Sequence, residues 1–330
     1  MATYKEIHGT NIQVVSSDPA NPVLGQIWYN TTSQTLKGQE FAAAAWATGS
    51  NLSTARQGLA GAGTQTAGLA FGGRTAPGGA SGNVATEEYN GTAWTGGGNL
   101  PLALRRIAGC GTQTAGLAFG GLAPLESPTT TNTSNEYNGT AWTAGGTLNT
   151  ARFGMAGAGT QTAGLGFGGY SPGLTAATEE YDGSSWTNGG NLATSVYQSA
   201  GAGTQTAGLN FGGGTPASPP IRATTEEYNG TSWTGGGNLT TARRELAGAG
   251  IQTAALAFGG NDDPSETAVT EQYDGTSWTN TTSMSTARDL LAGGGTQTSA
   301  LGFGGNELSE SAATEEFTGA GPTTVTISSS

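Results

Sequence analysis

Few residues in this chain of 330 could carry covalent chemistry, and most of those recur at matched places. There is one histidine, His8, and one cysteine, Cys110. A Ser-His-Asp or Cys-His relay needs an imidazole beside its nucleophile, and His8 lies outside the repeating part of the chain. Cys110 has no partner for an internal disulfide. It stands where Ala62, Ala158, Ala202 and Ala249 stand in related stretches, so it reads as a small buried side chain. Four arginines recur, Arg56, Arg152, Arg243 and Arg288, and the same position holds Leu104 and Val196 in two other copies. Neighbouring glutamates such as Glu87 and Glu88 recur as well. Adjacent residues of a strand point to opposite faces, so one is expected to meet an arginine and the other to face solvent. Glycoside cleavage needs two carboxylates roughly 5–9.5 Å apart, and nothing in the sequence singles out two. Asn261, Asp262, Asp263 and Glu266 offer oxygens suited to calcium without the spacing of a known loop, and read as solvated loop acids. The Asn-Gly-Thr triplets at Asn90, Asn138 and Asn229 match glycosylation sequons, but turn chemistry explains them. The expectation is a protein without catalytic residues, metal or cofactor.

The elements that position these residues form a repeat. Phe-Gly-Gly begins at Phe71, Phe119, Phe167, Phe211, Phe258 and Phe303. Tyr-Asn/Asp-Gly-x-x-Trp ends at Trp94, Trp142, Trp186, Trp233 and Trp278, and an altered version ends at Trp46. A period of about 47 residues is that of propellers and solenoids. Length alone suggests roughly two domains, but stacked units share one core. In the first copy, Leu59 to Gly63 reads as a strand of small residues, Thr64-Gln65-Thr66 as a turn, and Gly68 to Phe71 as a second strand. Thr86 to Tyr89 reads as a third, Asn90-Gly91 as a two-residue type I′ turn, and Thr92 to Thr95 as a fourth. Four antiparallel strands in this length make one propeller blade; a β-helix coil is usually about half as long. The Ala/Gly strands suit the crowded axis. Phe71, Tyr89, Trp94 and their counterparts are expected to pack between blades.

The order arginine, Gly-rich strand, Gly-Gly, Tyr and Trp resembles the kelch repeat of galactose-oxidase-like propellers over residues 39–319. The resemblance implies an all-β, six-bladed kelch-like β-propeller with four antiparallel strands per blade. The Asn/Asp-Gly-x-x-Trp turn also faintly resembles the Asp-box of sialidase propellers, with its glycine one place early. Neither activity is carried over: the copper site of galactose oxidase needs histidines, and sialidase chemistry needs clustered arginines. Six third strands occur but only five tryptophan strands follow them, because Phe317 has no tryptophan after it. Ala43 to Ala47, around Trp46, is therefore expected to supply the outer strand of the last blade, an N-terminal strand closing the ring. Glu40-Phe41 looks like the vestige of a seventh third strand, which keeps seven blades as the alternative.

Residues 1–38 stand outside the repeat. The segment from Asn21 to Lys37, with Ile27, Trp28, Tyr29 and Leu36 in a hairpin pattern, resembles a short segment found in many bacteriophage tail and virion proteins. The resemblance implies a virion protein whose residues 1–38 dock to other virion proteins. Residues 320–330 form an extension in which Thr323 to Ile327 alternates, either a strand for another chain, as in a homo-oligomer, or a frayed end. The net charge of −12 gives no basic footprint for nucleic acid, and no apolar run approaches the ~20 residues that insert in a membrane. Met1 to Val15 has no signal-peptide core, so synthesis in a host cytoplasm and residence in the virion are expected. Variation among copies concentrates on the loops between second and third strands, and binding residues ride on such loops. Arg74, Leu122, Leu125, Tyr170, Ile221, Arg222, Asp262 and Asp263 are the candidate contacts, with a host-surface glycan as ligand. Capsid or tail decoration without a receptor role, and a hydrolase of host polysaccharide, are the alternatives.

Overall fold

The computed structural model describes residues 12–75, 82–123, 129–214 and 221–327. His8 and Leu125 lie outside the described residues. Among those described, every regular element is a strand. The chain divides into two compact units, Trp46–Thr318 and a terminal unit of Met1–Ala45 with Gly319–Ser330.

Among the described residues, Trp46–Thr318 holds six four-stranded antiparallel sheets in a propeller-like repeat. In the first copy Gln57–Thr64, Ala67–Arg74, Thr86–Tyr89 and Trp94–Gly96 pair in that order. The sixth consists of Ala292–Thr296, Ser299–Phe303, Thr314–Thr318 and the early strand Ala45–Thr48. The surplus tryptophan thus sits where its count requires, with Trp46 against Phe317 and Phe258, ring centroids 5.1 Å away in each case. First strands of successive copies lie side by side, and Ala292–Thr296 of the last lies beside Gln57–Thr64 of the first. Their Ala/Gly composition follows from that closeness: a Cβ added to Gly61 would lie 2.7 Å from the Phe303 ring and 2.9 Å from the Gly293 carbonyl oxygen.

Three kinds of contact tie each sheet to the one before it, except that the sixth, with Phe317 for the tyrosine and Gln272 opposite, lacks the second kind. The Trp142 indole packs on Phe71 with centroids 4.9 Å apart, and its N–H donates to Thr86 Oγ1 at 2.9 Å. The Tyr137 hydroxyl donates to Glu88, so the second glutamate of each pair does not simply face solvent; it takes the phenol of the next sheet. The third contact comes from the Thr-Gln-Thr turns. Gln113 Nε2 donates to the carbonyls of Gly68 and Tyr89 in the preceding sheet, and Gln65 makes the same pair of bonds to Ala300 and Phe317. Within each of four copies the buried arginine grips the first glutamate, Arg56 to Glu87 at 2.8 Å and Arg152 to Glu179 at 2.9 Å among them.

The Asn-Gly turn differs from the type I′ expectation. Tyr89 pairs with Trp94, leaving a four-residue loop, and of its residues only Gly91 has positive φ, +89°. Asn90 Oδ1 accepts the N–H groups of both Thr92 and Ala93 at 2.9 Å. A side-chain cap needs an acceptor on a short arm, which Asp182 and Asp274 supply equally well in other copies.

In the terminal unit Gln13–Val15 runs parallel to Ile27–Asn30, which pairs with Thr35–Ala42, which pairs with Gly321–Thr326. The alternating C-terminal segment therefore finds its partner within this chain. Glu40 and Phe41 belong to this sheet, opposite Thr323 and Pro322, rather than to a vestigial repeat. The strand Thr35–Ala42 also runs across the expected boundary at residue 38.

Candidate functional site

At the start of every first strand one residue adopts a left-handed backbone: Gly58, Arg106, Gly154, Gln198, Glu245 and Leu290, with φ between 50° and 60°. Each N–H donates to the carbonyl of its counterpart in a neighbouring copy. Arg106 binds Gly58, Gly154 binds Arg106, Gln198 binds Gly154, Glu245 binds Gln198, Leu290 binds Glu245, and Gly58 binds Leu290, at 2.7–3.0 Å. Glycine occupies such a conformation freely, whereas other residues pay of order 1–3 kcal/mol. Two copies use glycine and four do not. The strained side chains crowd one mouth of a cavity of about 150 Å³ lined by the first strands of all six copies.

The mouth is polar. Gln198 Nε2 donates to Glu245 Oε1, and Arg106 Nη2 lies 3.7 Å from the same oxygen. Arg106 Nη1 donates to Tyr197 Oη at 2.8 Å, with its guanidinium 5.8 Å from the Tyr197 ring centroid. Gln198 Oε1 is buried without a hydrogen-bond partner among the described residues. Behind the mouth Asp289 is buried, its Oδ2 accepting from Asn261 Nδ2 at 3.4 Å. Burial, and then the neighbouring Glu245, push its carboxyl up to about 6.

Beside the mouth, Phe153, Tyr170 and Tyr197 form an aromatic group with centroids 5.4–6.4 Å apart. Phe153 and Tyr170 are half-buried and line an open groove of about 470 Å³ with Leu122, Thr129, Thr130, Ser171 and Pro172. A volume of that order suits a small ligand, and ring faces with flanking hydroxyls suit an amphipathic one.

The sequence candidates fall at this end of the sheets but not all in one place. Leu122 and Tyr170 share the groove, and Leu122 is buried, bridged to Arg105. Arg74 stands beside Arg105 and Arg106, its Nε 3.9 Å from Glu310 Oε1. Ile221 and Arg222 are half-buried in another loop. Asp262 and Asp263 form a turn in which Asn261 Oδ1 accepts the Asp263 N–H at 3.0 Å. Among the described residues no three His, Cys, Asp or Glu side chains converge as a metal site requires. In the terminal unit Trp28 is fully buried, its indole N–H on Asp18 Oδ1 at 3.0 Å, while Ile27, Tyr29 and Leu36 are half-buried. Arg106, Tyr197, Gln198 and Glu245 escaped the sequence reading. The signal was present as two adjacent positions, Gln57-Gly58 and their counterparts, whose identities change in nearly every copy just before an Ala/Gly strand that repeats.

No protein-family model matches this chain, and no curated protein matches it.

Proposed function

We propose that Trp46–Thr318 forms a closed, six-bladed, kelch-like propeller displayed on a bacteriophage particle, where it contacts a host-surface glycan without catalysing a reaction. Closure is supported by the hydrogen-bond cycle that returns from Leu290 to Gly58 and by the Gln65 bonds to the last sheet. The observation that carries the contact role is the mouth itself. Three polar side chains, Arg106, Gln198 and Glu245, are held in a backbone conformation that glycine fills in two other copies. Such strain persists where something besides stability favours it. Aromatic faces next to amide, carboxylate and guanidinium groups match a sugar, which offers C–H faces and hydroxyls.

Attachment to other virion proteins falls to the terminal unit. Its exposed Ile12, Val14, Val23, Leu24 and Phe41, rather than the buried Trp28, are the apolar groups available for docking. Virion decoration without a receptor role differs only in what the loop end touches.

The test is binding of the purified chain to a glycan array and to immobilised host polysaccharide, beside Glu245→Gly and Tyr170→Ala. Binding weakened at least tenfold in both variants supports the reading. Wild type that binds nothing, or variants that bind equally well, overturns the contact role. The hydrolase reading draws on Asp289, whose raised carboxyl lies in the range of a general acid. Release of reducing ends from the same polysaccharide, lost in Asp289→Asn, would establish it instead.

A further inference from the structure

One buried position is handled in three ways by the six copies. In four, an arginine fills it and meets a glutamate: Arg56 with Glu87, Arg152 with Glu179, Arg243 with Glu271, and Arg288 with Glu315. Three of these guanidiniums also grip a matched pair of carbonyls, Gly72 and Ala85 for Arg56, Gly168 and Ala177 for Arg152, Gly304 and Ala313 for Arg288. In the second copy both charges are gone, with Leu104 for the arginine and Asn135 for the glutamate. The fourth copy has lost only the cation. Val196 stands for the arginine, while Glu226 remains, 4% exposed.

Among the described residues no lysine or arginine lies within ion-pair distance of Glu226; the buried arginines pair with the glutamates of their own copies. Its carboxylate accepts the N–H groups of Ala193 at 2.7 Å and Thr194 at 3.3 Å. Two other departures from the repeat lie on the same sheet face. Asn210 is in register with Glu226, where other copies carry Ala70, Ala118, Gly166, Ala257 and Gly302. It is 1% exposed, and its Oδ1 has no partner among the described residues. Ser199 replaces Leu59, Ile107, Met155, Leu246 and Leu291, and its Oγ is buried without a partner among the described residues. Ser199 lies two residues before Gly201, which pairs with Asn210, so both side chains point to one face. The carbonyls of Gly212 and Thr224 are the counterparts of the pair that the guanidiniums grip elsewhere.

A buried carboxylate without a cation is costly, and this one shares its sheet face with two further buried oxygens that lack partners among the described residues. We propose that the fourth copy takes a monovalent cation from solution in the role of the missing guanidinium, held by Glu226, Asn210 Oδ1 and the Gly212 and Thr224 carbonyls, with Ser199 Oγ in support. Oxygen donors select a hard cation, and one carboxylate balances a single positive charge. The inference rests on the packing of one sheet and is independent of any virion or glycan role.

The test is thermal unfolding of the full chain at constant ionic strength in sodium, potassium or choline chloride. An ion bound only by the folded state raises the midpoint with saturating dependence, by about 2–4 °C at concentrations well above its dissociation constant. The rise with sodium or potassium over choline is expected in wild type and absent in Val196→Arg, which carries its own guanidinium. Should Val196→Arg fail to fold, Glu226→Gln serves, being less stable than wild type and indifferent to the cation. Equal midpoints of wild type in all three salts overturn the proposal, as does a cation effect that persists in Glu226→Gln. A Glu226→Gln protein at least as stable as wild type would likewise overturn it.

Discussion

Gln65 and Phe317 are 252 residues apart in sequence, yet the side-chain amide of the first donates to the carbonyl of the second at 2.7 Å. The same glutamine reaches Ala300 O at 3.3 Å. It repeats at the seam between the last and first sheets what Gln161 does between the second and third, where it binds Gly116 and Tyr137. Removing a side chain that satisfies two part-buried carbonyls costs about 1–3 kcal/mol. Gln65→Ala and Gln161→Ala are therefore expected to lower unfolding free energy by similar amounts in urea titrations. If the Gln65 substitution is neutral while Gln161→Ala is not, the seam does not hold in solution.

Trp142 is 7% exposed and joins two sheets through Phe71, Tyr137 and Thr86. Trp142→Ala should cost about 3–5 kcal/mol. Trp94 makes equivalent contacts to Phe303 and Thr314 but is only half-buried, so its truncation should cost less. Chemical denaturation of the two variants side by side checks the order; equal midpoints would contradict the difference in burial.

How much of this was legible follows from what side chains announce. Trp46 could be assigned to the last sheet because a missing tryptophan and a surplus one match. The Arg56–Glu87 pair could be anticipated because opposite charges recurred together. The glutamine contacts could not, since Thr-Gln-Thr has the composition of any polar turn and its acceptors are backbone carbonyls, which every residue has. The alternation of Thr323 to Ile327 indicates a strand without naming its partner. The axial mouth was hidden for another reason: a left-handed φ at Arg106, Gln198 or Glu245 leaves no mark in composition, and only alignment of the copies exposes the position.

Asp18 organises the terminal unit. Its carboxylate accepts from Trp28 Nε1 at 3.0 Å and Asn30 Nδ2 at 2.7 Å, and pairs with Lys37 Nζ at 2.6 Å. The Lys37 bond, then those from Trp28 and Asn30, lower its pKa to about 2. A carboxylate depressed in the folded state stabilises above its unfolded value near 3.8, and that contribution disappears as pH falls toward about 2. Trp28 fluorescence in an isolated terminal unit would confound folding with truncation, so the full chain is the better sample. Amide exchange of residues 27–42 is expected to accelerate between pH 4 and 2 relative to intrinsic rates, and Asp18→Asn should remove that step. Protection that stays constant across this interval would contradict the role of Asp18.

The tyrosine–glutamate contacts predict the opposite limb. Tyr89, Tyr137, Tyr181, Tyr228 and Tyr273 are each pushed up to about 12, first by burial and then by the glutamate that accepts the hydroxyl. A raised folded-state value means that stability is intact below the unfolded value near 10 and is lost as pH rises through about 12. Five groups acting together should give a steep alkaline transition in which phenolate absorbance and loss of sheet structure coincide. Ionisation near pH 10 with the fold intact would show that the hydroxyls are free.

The strained positions of the mouth separate stability from binding. Leu290 has φ of 50° and is half-buried, so Leu290→Gly should stabilise the fold by about 1 kcal/mol through relief of the left-handed conformation. Gln198→Gly removes comparable strain but also the amide bond to Glu245, and the two effects should nearly cancel. Both variants are therefore expected to melt at or above the wild-type midpoint. Only Gln198→Gly should weaken a ligand seated at the mouth, because Leu290 offers it no hydrogen bond. A protein that tolerates glycine at all six positions and still binds would place the contact elsewhere, in the Phe153–Tyr170 groove. A large loss of stability in Leu290→Gly would mean that its left-handed backbone carries no strain.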